Sequence, residues 1–153
     1  MPLLGLEKVS FELTKGIKQR VNEDLKGIYL SGLGNIISGT QADKGLHRNS
    51  WLLTVGAPSG AVTTNENKAG SDSFVQLANM PISVLGKKIY FTSNAPAMNI
   101  LEYGGFPSPV DKGSYIKESG SYQKLSANGF SKQAPNGWVR KTIIAMGNKV
   151  RSI

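Results

Sequence analysis

Apolar residues recur every three or four positions through the opening segment of this 153-residue chain. Leu6, Val9, Leu13, Ile17, Val21, Leu25 and Ile28 form the series, and charged residues fill the gaps: Glu7, Lys8, Glu12, Lys15, Lys18, Arg20, Glu23, Asp24 and Lys26. This is the period of an α-helix with one apolar stripe. The stripe predicts a long amphipathic helix that continues through Leu33 and Ile36. Gly27, Gly32 and Gly34 weaken it locally, and Gly39 is a natural stop.

The rest of the chain reads as short elements between loops. Ser50 to Val55 has strand composition. Gly56 to Gly70 is small and polar, which suggests a mobile loop. Ser71 or Asp72 suits the cap of a short helix with Phe74, Leu77 and Ala78 on its buried side, ended by Pro81. Ile82 to Leu85 and Lys88 to Thr92 read as two strands joined at Gly86-Lys87. Asn94-Ala95-Pro96 opens a helix, Ala97 to Tyr103, closed by Gly104-Gly105. Tyr115-Ile116 and Tyr122-Gln123 around Ser119-Gly120 suit a β-hairpin. Pro135-Asn136-Gly137 leads into a last helix with Val139, Ile143, Met146 and Val150 on one face. No internal repeat is evident. The expectation is one α+β domain over residues 1–153, with a long N-terminal helix and a C-terminal helix packed on a small, mostly antiparallel sheet, and long Gly-rich loops.

Composition narrows the function. There are 18 glycines and 7 prolines, and 39% of residues are hydrophobic, so the core is lean and much of the chain is turn or loop. Without cysteine, disulfides and thiolate metal sites are ruled out, and one histidine cannot build a multi-histidine metal centre. No apolar run approaches the roughly 20 residues that span a bilayer, and Met1 to Lys8 does not look like a secretory signal. A soluble, cytoplasmically made protein is expected. The net charge of +8 is uneven. Up to Val110 there are 10 basic and 8 acidic residues; from Asp111 onward there are 8 and 2. The basic last third suggests an anionic partner, either nucleic acid or an acidic protein surface, or else a solvated face.

No catalytic set emerges. His47, with Asp43 and Ser50 nearby, superficially resembles a triad, but no Ser sits in a Gly-x-Ser-x-Gly elbow. Five of the ten acids, Glu7, Glu12, Glu23, Asp24 and Asp43, fall in or just after the charged pattern of the first helix, not in a pair suited to glycoside hydrolysis. Glu102 is different: it sits among Ile100, Leu101 and Tyr103, where a carboxylate needs a partner or a cluster of backbone N–H groups. A structural hydrogen-bonding role is favoured there over a general acid. Gly32-Leu33-Gly34 lacks the context of a dinucleotide site, and Gly86-Lys87 lacks that of a phosphate loop.

Three blocks share a pattern. The first is Asp43-Lys44-Gly45-Leu46-His47-Arg48-Asn49-Ser50-Trp51. The second is Ile89 to Ala97, with Asn94 and Pro96, followed by Leu101-Glu102-Tyr103-Gly104. The third is Gln133-Ala134-Pro135-Asn136-Gly137-Trp138-Val139-Arg140. In order and spacing the set resembles the phage neck and tail-completion proteins of the HK97 type, over nearly the whole chain. Ala97 departs from the pattern, where an aromatic is usual, as does the long glycine-rich stretch from Pro107 to Phe130. The resemblance implies a structural virion protein that forms a ring at the neck of a long-tailed phage, with no catalysis and no cofactor. It would be made in the host cytoplasm and located in the virion.

On that resemblance, Arg48, Trp51, Asn94, Pro96, Leu101, Glu102, Tyr103, Pro135, Trp138 and Arg140 are candidate interface or fold-specifying residues. Lys112, Lys117, Lys124 and Lys132 are a candidate basic contact face. The implied partners are further copies of the chain in a ring of six, or else twelve, together with head-side adaptor or head-closure proteins and the tail terminator or tail tube protein. Genomic DNA would pass nearby in the channel, and no membrane is involved. The competing readings are a tail terminator one layer further down and a small basic nucleic-acid-binding protein, the latter without a recognised binding motif.

Overall fold

The computed structural model describes residues 3–105, 115–116, 119–122, 127–131 and 134–153. Its first element, α1 (Leu3–Gly39), is a single helix of 37 residues, about 55 Å long at 1.5 Å per residue. Then follow β1 (Trp51–Val55), α2 (Ser71–Gln76), β2 (Ile89–Ser93), α3 (Met98–Tyr103), β3 (Tyr115–Ile116), β4 (Ser121–Tyr122) and α4 (Val139–Val150). The class is α+β, with the long N-terminal helix and the C-terminal helix packed against a two-stranded antiparallel sheet. β1 pairs with β2, Trp51 opposite Ser93 and Val55 opposite Ile89. The expected hairpin is present, with Tyr115 opposite Tyr122 and Ile116 opposite Ser121.

The core gathers at the C-terminal end of α1. Leu33, Ile36 and Ile37 meet Trp51 and Leu53 of β1, Met98 and Leu101 of α3, and Trp138 at the start of α4. Trp51 stacks on Phe91 across the sheet, centroids 5.0 Å apart and planes within 7°. Gly32 is the point where α4 lies closest: a Cβ there would stand 2.2 Å from Met146 Sδ. The glycine that weakens α1 locally thus admits the helix that packs on it.

The far half of α1 is bare. Leu6, Val9, Leu13 and Ile17 are between 56% and 66% exposed, whereas Leu25, Tyr29 and Leu30 pack against the core. The body covers only the lower part of the apolar stripe. Reach explains the split. Residues 5–20 are exposed on every face of the helix, because α1 runs on past the body there, and burial begins only at Val21.

Several other expectations are corrected. Residues 82–85 form no strand, because their backbone groups bond to α1 instead. Asn22 Nδ2 donates to the Ile82 carbonyl, and Asn22 Oδ1 accepts from the Val84 N–H at 2.7 Å. In α2 the buried residue is Ser73, whose hydroxyl accepts from the Trp51 N–H, while Phe74 and Ala78 are exposed. The start of α2 is capped from outside by Asn49 Oδ1, which accepts from the Asp72 N–H, and not by Ser71 or Asp72. On α4, Thr142 and Met146 turn toward α1, and Ile143 and Val150 are exposed.

The segment 56–70 has no helix or strand, yet it is pinned. Asn94 Nδ2 donates to the Ser59 and Ala61 carbonyls, and Arg48 Nη1 to that of Lys68. Lys112, Lys117, Lys124 and Lys132, the proposed basic face, lie outside the described residues, as does most of the stretch from Pro107 to Phe130. Among the described residues, no helix is long and apolar enough to cross a membrane.

Candidate functional site, the junction of two helix ends

A helix end leaves backbone groups without intrahelical partners, and burial makes each such group costly. Two helix ends meet in this fold, the C-terminus of α1 and the N-terminus of α4. The candidate residues cluster at their junction.

At the end of α1 the orphan groups are carbonyls. Arg48 donates through Nε to the Thr40 carbonyl at 2.9 Å and through Nη2 to that of Ser38 at 3.1 Å. A guanidinium here also complements the negative end of the helix dipole. Both tryptophans lend their indole N–H to the same turn. Trp51 Nε1 donates to the Thr40 hydroxyl at 2.9 Å, and Trp138 Nε1 to the Ile36 carbonyl at 3.1 Å. Thr40 itself is fully buried, and its hydroxyl donates back to Ile36.

At the start of α4 the orphan groups are N–H donors, and Glu102 of α3 serves them. Its Oε2 accepts from the Trp138 and Val139 N–H groups at 2.8 and 2.9 Å. Its Oε1 accepts from the Arg140 N–H and from Arg140 Nε, each at 3.0 Å. Arg140 also donates to the Glu102 carbonyl and lies 4.5 Å above the centre of the Tyr103 ring. The turn that delivers these donors is Ala134–Gly137, closed by the Gly137 N–H on the Ala134 carbonyl, with Pro135 in the position where its fixed φ suits a turn. Gly137 has φ +72°, and a Cβ on it would stand 2.4 Å from the Glu102 carbonyl oxygen.

Burial alone would push the Glu102 carboxyl up. Three backbone donors and the guanidinium outweigh that and hold it below the usual glutamate value. At neutral pH it is an ionised carboxylate facing four donors. It has no proton to give, so it is not suited to general-acid chemistry.

The other candidates fall into place nearby. Leu101 is buried in the core, and Tyr103 is exposed apart from its contact with Arg140. The Pro96 carbonyl accepts from His47 Nε2 at 2.7 Å. The Ser50 hydroxyl donates to the His47 carbonyl, and it also bonds to the Ser93 hydroxyl. The only imidazole is therefore spent on a carbonyl and does not face the serine. Among the described residues, no three metal-ligating side chains come together. An open depression of about 400 Å3 at Ser93 to Ile100 and another of about 300 Å3 beside Leu33, Phe91 and Met146 gather no acid, base and nucleophile.

Sequence reasoning missed Asn22, Thr40, Asn49 and Ser73. Asn22, Asn49 and Ser73 each bond to a backbone group more than 15 positions away, and Thr40 accepts from the indole of Trp51 eleven positions on. No family model, curated protein or solved structure matches this chain.

Proposed function

We propose that this chain is a structural subunit of the neck of a long-tailed bacteriophage, forming a ring that helps join the head-side connector to the tail. The observation that carries this reading is the convergence of the three sequence blocks on one junction. The first contributes Arg48 and Trp51, the second Leu101 and Glu102, and the third Trp138 and Arg140. Separately, each block is a weak likeness to the neck proteins. Residues of all three that jointly tie two helix ends together support an architecture shared as a whole.

The site chemistry supports a structural role in the same direction. Glu102 is saturated by donors and His47 is bonded to a backbone carbonyl. The partners on this reading are further copies of the chain, head-side adaptor or closure proteins, and the tail terminator or tube protein.

The test is deletion of the gene from its own phage genome, followed by electron microscopy of the lysate. The expected result is filled heads and finished tails of normal length that do not join, with joining restored by adding the purified protein. Tails of uncontrolled length would assign the chain to the terminator layer instead. Normal particles would overturn the proposal.

A further inference from the structure

The bare half of α1 has a shape and a charge order of its own. Leu6, Val9, Leu13 and Ile17 make an exposed ridge of 12 residues, about 18 Å long. By helix geometry the charged residues that flank the ridge within residues 6–17 are acids, Glu12 on one side and Glu7 on the other, while Arg20 follows Ile17 along the ridge's own line. Lys8, Lys15 and Lys18 fall behind them, on the opposite face. A helix projecting this far with its apolar side in water has little to hold it, because most helical stability comes from packing of the apolar face.

The outer face of α4 has matching features. Ile143, Ile144 and Val150 are exposed, at 56%, 64% and 39%, and Gly147 lies among them with nothing within 4 Å of its Cβ position. The helix has 12 residues and contains no acid. Lys141 borders the apolar patch, and Arg151 closes its end. The chain thus carries an acid-flanked apolar ridge of 12 residues and a base-bordered apolar face of eight, Ile143 to Val150, on different parts of its surface. The two cannot meet within one molecule, because α4 packs on α1 at Ile28 to Asn35 and the ridge lies further along the same helix, where every face is exposed.

We infer that the projecting half of α1 docks on the outer face of α4 of a second copy of this chain. The contact is heterologous: each molecule offers its ridge to one neighbour and its α4 face to another. Such a contact closes into a ring or grows into a filament. The closed form is the one that rests on the neck reading; the pairing of surfaces does not. The missing side chain at Gly147 lets the ridge approach α4 closely, and Glu7 and Glu12 then meet Lys141 and Arg151 at the rim, where complementary charges mainly select the partner and its orientation.

Cross-linking and charge reversal on the full chain test this. The chain has no cysteine, so introduced thiols report only on themselves. Leu13→Cys with Ile144→Cys in one chain should give, on oxidation, a ladder of linked oligomers, and either substitution alone should give none. Glu7→Lys with Glu12→Lys, or Lys141→Glu with Arg151→Glu, should each weaken self-association measured by mass photometry about tenfold or more, and the four together should restore it. These positions are exposed, so the fold is expected to survive. Dimers from Leu13→Cys alone would mean that ridge pairs with ridge, and would overturn the inference. So would sedimentation of the protein with anionic vesicles that Leu13→Glu abolishes, or no rescue by the combined reversal. A cross-linked oligomer absent from phage particles would leave the docking standing and remove the neck reading.

Discussion

Glu102 ties α3 to the start of α4. It is 6% exposed and accepts from three backbone N–H groups and one guanidinium. Glutamine is nearly isosteric but turns one acceptor into a donor, which would face N–H groups at close range. Glu102→Gln should therefore cost about 1–3 kcal/mol of stability, and Glu102→Ala about 3–5 kcal/mol because the guanidinium also loses its partner. Equilibrium urea unfolding measures both. The folded carboxyl titrates below its ordinary value, so its contribution is present above the unfolded pKa of about 4.3 and is lost as pH falls through the lower folded value. As pH falls below the unfolded pKa, the parent should lose stability faster than Glu102→Gln does. Parallel curves would show that the carboxylate is not ionised in the fold. Gly137→Ala adds a Cβ against the Glu102 backbone at positive φ, and should cost more than about 2 kcal/mol by the same measurement.

At the scale of elements, α1 divides in two. Removing residues 3–17 should change the unfolding free energy by less than about 1 kcal/mol, since the ridge touches little of the body. Amide exchange in the monomer should be fast over residues 5–17 and slow over residues 30–39, where the core closes on the helix. Uniform protection along α1 would contradict this division. The helices and the β-hairpin were legible in the sequence because their signals are local: the period of Leu6 to Ile28, the turn at Ser119-Gly120, the Pro135–Gly137 entry to α4. The false strand at 82–85 was not, because its backbone bonds to Asn22 some 60 positions earlier. The faces of α4 were misread for a related reason. Apolar residues lie on both sides of α4, and their pattern does not say which side α1 takes. Glu102 was legible as a carboxylate in need of donors; which donors was not, because they come from a turn 36 residues later.

For the whole molecule, the fold is a compact end with a projecting rod. The compact end is built around the meeting of α1 and α4, and the rod carries apolar surface that the body does not cover. On the proposed docking, a chain of this form would gain stability from its neighbours, its lean core completed by assembly. Its claim to be a neck component rests on the junction residues and their likeness to neck proteins. A cryo-EM map of the intact virion neck tests that claim most directly. The account predicts a closed ring between the head connector and the tail tube whose repeating density takes this fold, with α1 of each copy lying across α4 of the next. A neck in which every ring at that level is built from other chains would contradict it.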